Sequence, residues 1–212
     1  KPDYDPNDPP RNDVALLNDL MRMTVITDVY EPGSTFKPFT VAAALETDSI
    51  EPDSYYECLG SWQVGPHNIH CHNRYGDGTI SLKTAVAQSC NVALMKIATT
   101  MGAEKFSKFQ QAFNFGLKTN IDLAGEARTA DFLRGADEMD PADLATYSFG
   151  QNFNVTMIQL ATGFCSLING GTYYKPYMVK GLYNSNGELV KSYGKTVVSR
   201  PVSEETSSFI KQ

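Results

Sequence analysis

A serine and a lysine three residues apart, Ser34 and Lys37, lie within Glu31-Pro32-Gly33-Ser34-Thr35-Phe36-Lys37-Pro38-Phe39-Thr40. On a helix, positions i and i+3 share a face, so the amine can reach the hydroxyl. A free serine hydroxyl is a weak nucleophile and needs an adjacent base. Lysine serves as that base only when neutral, and burial and a helix N-terminus both push its pKa down. The same N-terminus offers backbone donors to a developing oxyanion. The chemistry on offer is nucleophilic catalysis by Ser34 with Lys37 as base. The bare S-x-x-K spacing recurs at Ser192…Lys195 and Ser208…Lys211. Neither pair starts a buried helix, and both read as solvent-facing chance matches.

A second constellation is Ser89-Cys90-Asn91, the sole S-x-N of the chain. A serine there can relay a proton, and an amide can hold a substrate carbonyl while donating to a neighbour. The plainer reading is that Ser89 and Asn91 cap the helix that follows. Cysteines stand at 58, 71, 90 and 165, none in a C-x-x-C pair, which weakens a structural zinc reading. All three histidines fall in His67-Asn68-Ile69-His70-Cys71-His72. His70 and His72 would share one strand face, which makes a metal site conceivable. A solvated hairpin, or a Cys58–Cys71 disulfide across it, is the preferred reading.

The elements that must position these groups follow from local signals. Residues 14–24 fit a short helix. Residues 34–47 fit a buried helix, with Pro38 in its first turn, where a missing donor costs nothing. Residues 55–72 read as a β-hairpin turning near Gly65-Pro66. Ser81 or Thr79 can cap a helix ending near Ser89. Asn91 to Met101 and Ala103 to Phe113 form two more, stopped at Gly102 and near Gly116. Asp140-Pro141 opens a short helix. Asn154 to Ile168 forms a long apolar one ended by Gly170-Gly171. Residues 173–198 read as a second hairpin around Asn184-Ser185-Asn186-Gly187, and Ser203 caps a last helix. Residues 1–13, rich in Pro, Asp and Asn, read as an extended loop. Asp3, Asp5 and Asn7 imitate the start of a calcium loop, but Asp8 stands where Gly is needed and Val14 where Glu is needed, so that site is rejected.

Composition narrows the function class. The 212 residues are 42% hydrophobic and 20% charged, which excludes disordered, collagen-like and coiled-coil chains. Eighteen basic against 24 acidic residues give a net charge of -6, which argues against a nucleic-acid surface. No apolar run approaches a membrane span. No charged segment followed by an apolar one marks a signal peptide.

Together, the two motifs resemble those of the penicillin-binding proteins, the acyl-serine D,D-transpeptidases. YEPGSTFK at 30–37 resembles the nucleophile motif of the class B members, and AQSCN at 87–91 is similar to a form of the second motif. PDYDPN at 2–7 resembles the segment leading into this domain's active-site region. FGLKTNIDLAGE at 115–126 and SFGQNFNVTMIQLATGF at 148–164, with Asn169-Gly170-Gly171 and Pro176, continue the resemblance in the family's order.

The resemblance implies roles residue by residue. Ser34 would be the acylated nucleophile and Lys37 its general base. Ser89 would carry a proton to the departing D-alanine, Asn91 would bind the donor peptide's amide, and Cys90 would line the site. The family's third motif, Lys-Thr/Ser-Gly on an edge strand, is absent: Lys-Thr occurs at 83–84, 118–119 and 195–196, and Gly never follows. The implied fold class is therefore α+β, mainly helical as given. It is an internal segment of the D,D-transpeptidase/serine β-lactamase-like fold that lacks most of the central antiparallel sheet.

The implied activity is cross-linking of peptidoglycan stem peptides, with β-lactams acylating the same serine. Alternatives are a D,D-carboxypeptidase, or a β-lactam sensor or catalytically silent fragment. A β-lactamase is disfavoured, because no E-x-x-L-N supplies a class A deacylating glutamate and class D enzymes carry Val where Asn91 stands. No cofactor or metal is implied. The resemblance places the protein at the extracytoplasmic face of a bacterial membrane, where other cell-wall synthesis proteins are potential partners.

Overall fold

The computed structural model describes Asp5 and residues 7–212. Asp3, most of the PDYDPN segment and the start of the 1–13 loop lie outside the described residues. In chain order the elements are α1 (Val14–Met21), α2 (Thr24–Thr27), β1 (Val29–Tyr30), a 3-10 turn (Gly33–Phe36) and α3 (Lys37–Glu46). Next come β2 (Tyr55–Cys58), β3 (Ser61–Val64), β4 (His67–His70), β5 (Gly78–Ser81), α4 (Leu82–Ala87), α5 (Asn91–Met101) and α6 (Ala103–Ala112). A short 3-10 turn (Ala130–Phe132) precedes α7 (Pro141–Tyr147), β6 (Val155–Thr156) and α8 (Met157–Ile168). The chain continues through β7 (Tyr173–Tyr174), β8 (Gly181–Tyr183), β9 (Leu189–Ser192), β10 (Val197–Ser199) and α9 (Glu204–Ile210). The architecture is α+β, and every sheet among the described residues has two strands.

The centre is built by α3 and α5, which pack on each other, with α7 against α5, α6 against both, and α9 against α3. Alanines at 42, 43 and 44 on α3, and Ala93 and Ala98 on α5, are buried, so the two backbones approach closely. A phenylalanine cluster fills the space beneath the start of α3. Phe36 lies 5.3 Å from Phe39, 5.2 Å from Phe115 and 4.8 Å from Phe153, ring centre to ring centre. Such stacked and edge-on pairs add to the burial of their area.

Helix starts follow the expected caps. Ser81 caps α4, and Ser203 caps α9. Asp140 opens α7 in a capping box with Asp143. Residues 14–24 divide into α1 and the first residue of α2, with Arg22 extended at the α1 end. The helix expected over 34–47 begins as a 3-10 turn and becomes α-helical only at Lys37. Residues 154–156 do not belong to the long apolar helix. Val155 and Thr156 pair with Tyr30 and Val29, and Thr156 caps α8.

Both hairpins differ from their expected extents. Within 55–72, only β3 and β4 pair with each other, Trp62 opposite Ile69. β2 instead pairs with β5, Tyr56 opposite Ile80, so the hairpin is nested inside a wider loop. Period-two patterning specifies which face is buried, not which strand is the partner. The 173–198 region is likewise nested: β8 pairs with β9, and β7 with β10. Between them the Asp122 carboxylate accepts from the N–H groups of Met178 and Val179, at 2.7 and 2.9 Å. These amides therefore take no ladder partner, and the pairing breaks there.

The expected Cys58–Cys71 disulfide is absent. All four cysteines are free. Cys71 Sγ instead lies 3.9 Å from Cys90 Sγ, 19 residues along the chain. Cys58 ends β2 opposite Gly78 of β5, and Cys71 follows β4, so the two do not face each other across one hairpin.

Candidate active site

Ser34 sits on the 3-10 turn and is exposed, whereas Lys37 opens α3 with 1% of its surface exposed. Two close contacts hold the turn. Gly33, at φ +57°, donates its N–H to Gly150 O at 2.8 Å. Gly150 is at φ +82°, and a Cβ there would lie 2.1 Å from Gly33 O. Only glycine permits this contact. Glu31 accepts from Asn152 N at 2.8 Å, and the Asn152 amide donates to Asp143 Oδ1 at 2.7 Å. Asp143 also receives Arg134 Nη1 at 2.8 Å. The 150–152 segment, expected to continue the family pattern, thus acts as the bed of the Ser34 turn.

Ser89 comes from the loop between α4 and α5 and is held at φ +57°. A non-glycine residue in that region stores backbone strain, and such strain concentrates at functional sites. The N-cap of α5 is Cys90, and it makes no side-chain cap bond. Ser89 and Asn91 are therefore not engaged as caps. Lys37 Nζ donates to Ser89 O at 2.6 Å, to Ser89 Oγ at 2.7 Å and to Asn91 Oδ1 at 2.7 Å. Ser89 Oγ in turn donates to Ser34 Oγ at 2.8 Å. The i, i+3 spacing led to the expectation of a direct Lys37–Ser34 contact. Among the described residues the hydrogen bonds run through Ser89 instead. The Lys37 amine is turned to three acceptors of the 89–91 loop, Ser89 O, Ser89 Oγ and Asn91 Oδ1, and reaches Ser34 only through Ser89.

Burial pushes Lys37 down from 10.5 to about 8, although Cys71 and Cys90 nearby favour its charged form. A buried amine that is partly neutral near physiological pH can accept a proton. Asn91 Nδ2 makes one long contact, 3.5 Å to His70 O, so the amide keeps donor capacity. Cys90 is fully buried and its sulfur faces Cys71. It presents no surface to a substrate, contrary to its expected place lining the site. His70 and His72 are exposed. The S-x-x-K decoys stay apart: Ser192, Lys195, Ser208 and Lys211 are all exposed. Lys195-Thr196 precedes β10, where Thr196 O accepts from Lys175 N at 2.9 Å.

The family model for the penicillin binding protein transpeptidase domain matches residues 1–212. The chain belongs to this family. Stage V sporulation protein D of Bacillus subtilis (strain 168) is 35% identical over 214 residues, covering 100% of this chain and 32% of that relative. The chain thus spans about a third of that relative's length. Among solved structures, the D,D-transpeptidase domain of a peptidoglycan glycosyltransferase from Eggerthella lenta superimposes with a TM-score of 0.83 at 24% identity, over 90% of this chain and 49% of that one. The TP domain of penicillin-binding protein 3 from Burkholderia pseudomallei gives 0.77 at 26% identity, over 90% and 54% of the two chains. The α+β elements described above therefore correspond to part of a penicillin-binding protein transpeptidase domain. No helix among the described residues is long and apolar enough to cross a membrane.

Sequence reasoning missed Gly150 and Asn152 as supports of the Ser34 turn. Their signal was the Gly-Gln-Asn run itself, which interrupts the apolar pattern between α7 and α8.

Proposed function

We propose that this chain carries the acyl-serine centre of a peptidoglycan D,D-transpeptidase. The observation that supports it is the hydrogen-bond chain Lys37–Ser89–Ser34, with a buried lysine at one end and an exposed serine at the other. With Lys37 neutral, the same chain runs in reverse. The Ser34 proton passes to Ser89 Oγ as the Ser89 proton passes to Lys37 Nζ. Ser34 Oγ then attacks the carbonyl carbon of the penultimate D-alanine of a stem peptide. The Gly33 N–H is taken by Gly150 O, which leaves the N–H groups that follow it in the turn to serve the developing oxyanion. The C–N bond breaks, and the proton returns through Ser89 to the departing D-alanine. Asn91 holds the donor peptide's amide. The amine of a neighbouring stem peptide attacks the ester, the ester C–O bond breaks, and the amine's proton passes through Ser89 to Ser34 Oγ, which forms the cross-link and restores the serine hydroxyl. A β-lactam is attacked by the same oxygen and its ring opens; slow deacylation is expected, because no E-x-x-L-N glutamate occurs in this sequence to activate water.

The site belongs on this reading to the extracytoplasmic face of a bacterial membrane, among other cell-wall synthesis proteins. A D,D-carboxypeptidase would use the same groups with water as acceptor. The Ser34–Ser89–Lys37 connection disfavours a catalytically silent role.

Intact mass after incubation with benzylpenicillin tests the proposal, beside Ser34→Ala. A single adduct on the parent chain and none on the variant is expected. An adduct that survives Ser34→Ala would overturn the assignment. So would the absence of any adduct on the full-length protein.

A further inference from the structure

Directly behind the Ser89–Asn91 loop lies a second group of reactive side chains. We propose that Cys58, Cys71, Cys90 and Asp77 form a buried site for one zinc ion, which ties the second-motif loop to the β2–β5 excursion. The four ligand atoms, three sulfurs and a carboxylate oxygen, lie within 4.8 Å of one another. Tetrahedral zinc with Zn–S bonds of about 2.3 Å places sulfurs about 3.8 Å apart. Cys71 Sγ is 3.9 Å from Cys90 Sγ and 3.8 Å from Asp77 Oδ2. The cluster therefore needs only small side-chain movements to close on a metal. The spacing along the chain, 58, 71, 77 and 90, holds no C-x-x-C pair and gives no local signal of the site.

The surroundings are built to hold these atoms. Cys58 and Cys90 are fully buried and Cys71 is 2% exposed. The Asn73 amide donates to Asp77 Oδ1 at 2.8 Å, leaving Oδ2 to face the sulfurs. Outer-sphere bonds of this kind orient metal ligands. Gly60 and Gly76, at φ +87° and +84°, let the two ligand loops touch: a Cβ on Gly76 would lie 2.4 Å from Cys58 O, and one on Gly60 2.2 Å from Arg74 O. Cys71 N also donates to Gly60 O at 2.9 Å. No lysine or arginine pairs with Asp77 among the described residues.

The donor set selects the ion. Three thiolates favour a borderline-soft metal such as zinc, whereas calcium and magnesium take oxygen ligands. A disulfide would consume two of the three buried thiols and leave the third beside the Asp77 carboxylate. Zinc engages all four groups. Binding breaks three S–H bonds, forms three Zn–S bonds and one Zn–O bond, and releases three protons to solvent. Asp77 is half-buried, and the exposed His72 places its Nδ1 3.7 Å from Cys71 Sγ, so the cluster lies next to the surface on this side. The four ligands come from the end of β2, the segment between β4 and β5, and the N-cap of α5. A bound ion would therefore fix the residue lying between Ser89 and Asn91. The site stands whether or not Ser34 is acylated.

The test is metal content and cobalt spectroscopy on the full-length protein, purified with a phosphine reductant and without chelator. The expected result is one zinc per chain. Cobalt in its place should show an intense thiolate-to-metal band and the visible bands of a tetrahedral ion. Zinc affinity should fall by at least ~10–100-fold in Cys58→Ser and in Asp77→Asn, and stay unchanged in Cys165→Ser, whose thiol is exposed and outside the cluster. Circular dichroism checks that each variant is folded, and the cobalt spectrum of the unaltered protein requires no variant. Absence of metal at micromolar free zinc overturns the proposal. So does a cobalt spectrum without the thiolate band, equal zinc affinity in folded Cys58→Ser and Asp77→Asn, or a mass two hydrogens light under reductant.

Discussion

The sharpest consequence of the site geometry is the pH dependence of Ser34 acylation. Burial lowers Lys37 from 10.5 to about 8. If the neutral amine is the base, the acylation rate follows its neutral fraction. That fraction is roughly 1% at pH 6, roughly 10% at pH 7 and half at pH 8, from the ordinary titration relation. The second-order rate with benzylpenicillin should therefore rise roughly 50-fold from pH 6 to pH 8, and less than twofold from pH 8 to pH 9. An unshifted lysine would give a tenfold rise per unit through pH 9 and beyond. Quenched-flow mass spectrometry of the acyl adduct reads the rate directly. Lys37→Arg should abolish the rise, because arginine stays protonated and cannot act as the base. A flat profile between pH 6 and 8 would refute the reasoning. So would a rate still climbing tenfold between pH 9 and 10.

The same burial predicts a stability trend. The folded pKa of Lys37 lies below its unfolded value, so the unfolded chain binds more protons between pH 8 and 10.5. Stability contributed by this group is therefore lowest below pH 8 and recovers as pH rises through that window, by about 3 kcal/mol in full. Urea unfolding of the parent chain and Lys37→Met, compared at pH 7.5 and 10, should show the parent gaining relative to the variant; a parent that loses ground would contradict the shift. Gly150→Ala should cost about 1–3 kcal/mol from its positive φ and displace Gly33, slowing acylation on the order of 100-fold. A folded Gly150→Ala protein acylated at the parent rate would show that the turn tolerates the extra carbon.

How much was legible in advance depended on how far apart the interacting residues lie in the chain. Helix starts at Ser81, Asp140 and Ser203 follow from a side chain and an amide two or three residues on, so local sequence suffices. Ser34, Lys37, Ser89 and Asn91 could be named because their types and spacing suit one chemistry and occur in the order of a known family. The connection among them could not be read. The Lys37–Ser89 bond spans 52 residues and the Ser89–Ser34 bond 55, and only the packing of α3 against α5 decides that Ser89 stands between serine and lysine. The β2–β5 pairing was hidden for a related reason. Alternating residues mark a strand's faces, while its partner depends on which edge the fold brings alongside. The cluster of Cys58, Cys71, Asp77 and Cys90 is the extreme case. Its members carry no spacing signal, and their meeting point exists only once two glycine-shaped loops close on the N-cap of α5. Residue chemistry and local conformation were set by the sequence itself; which groups share a proton or a metal was decided by tertiary packing, because those interactions act across space and not along the chain.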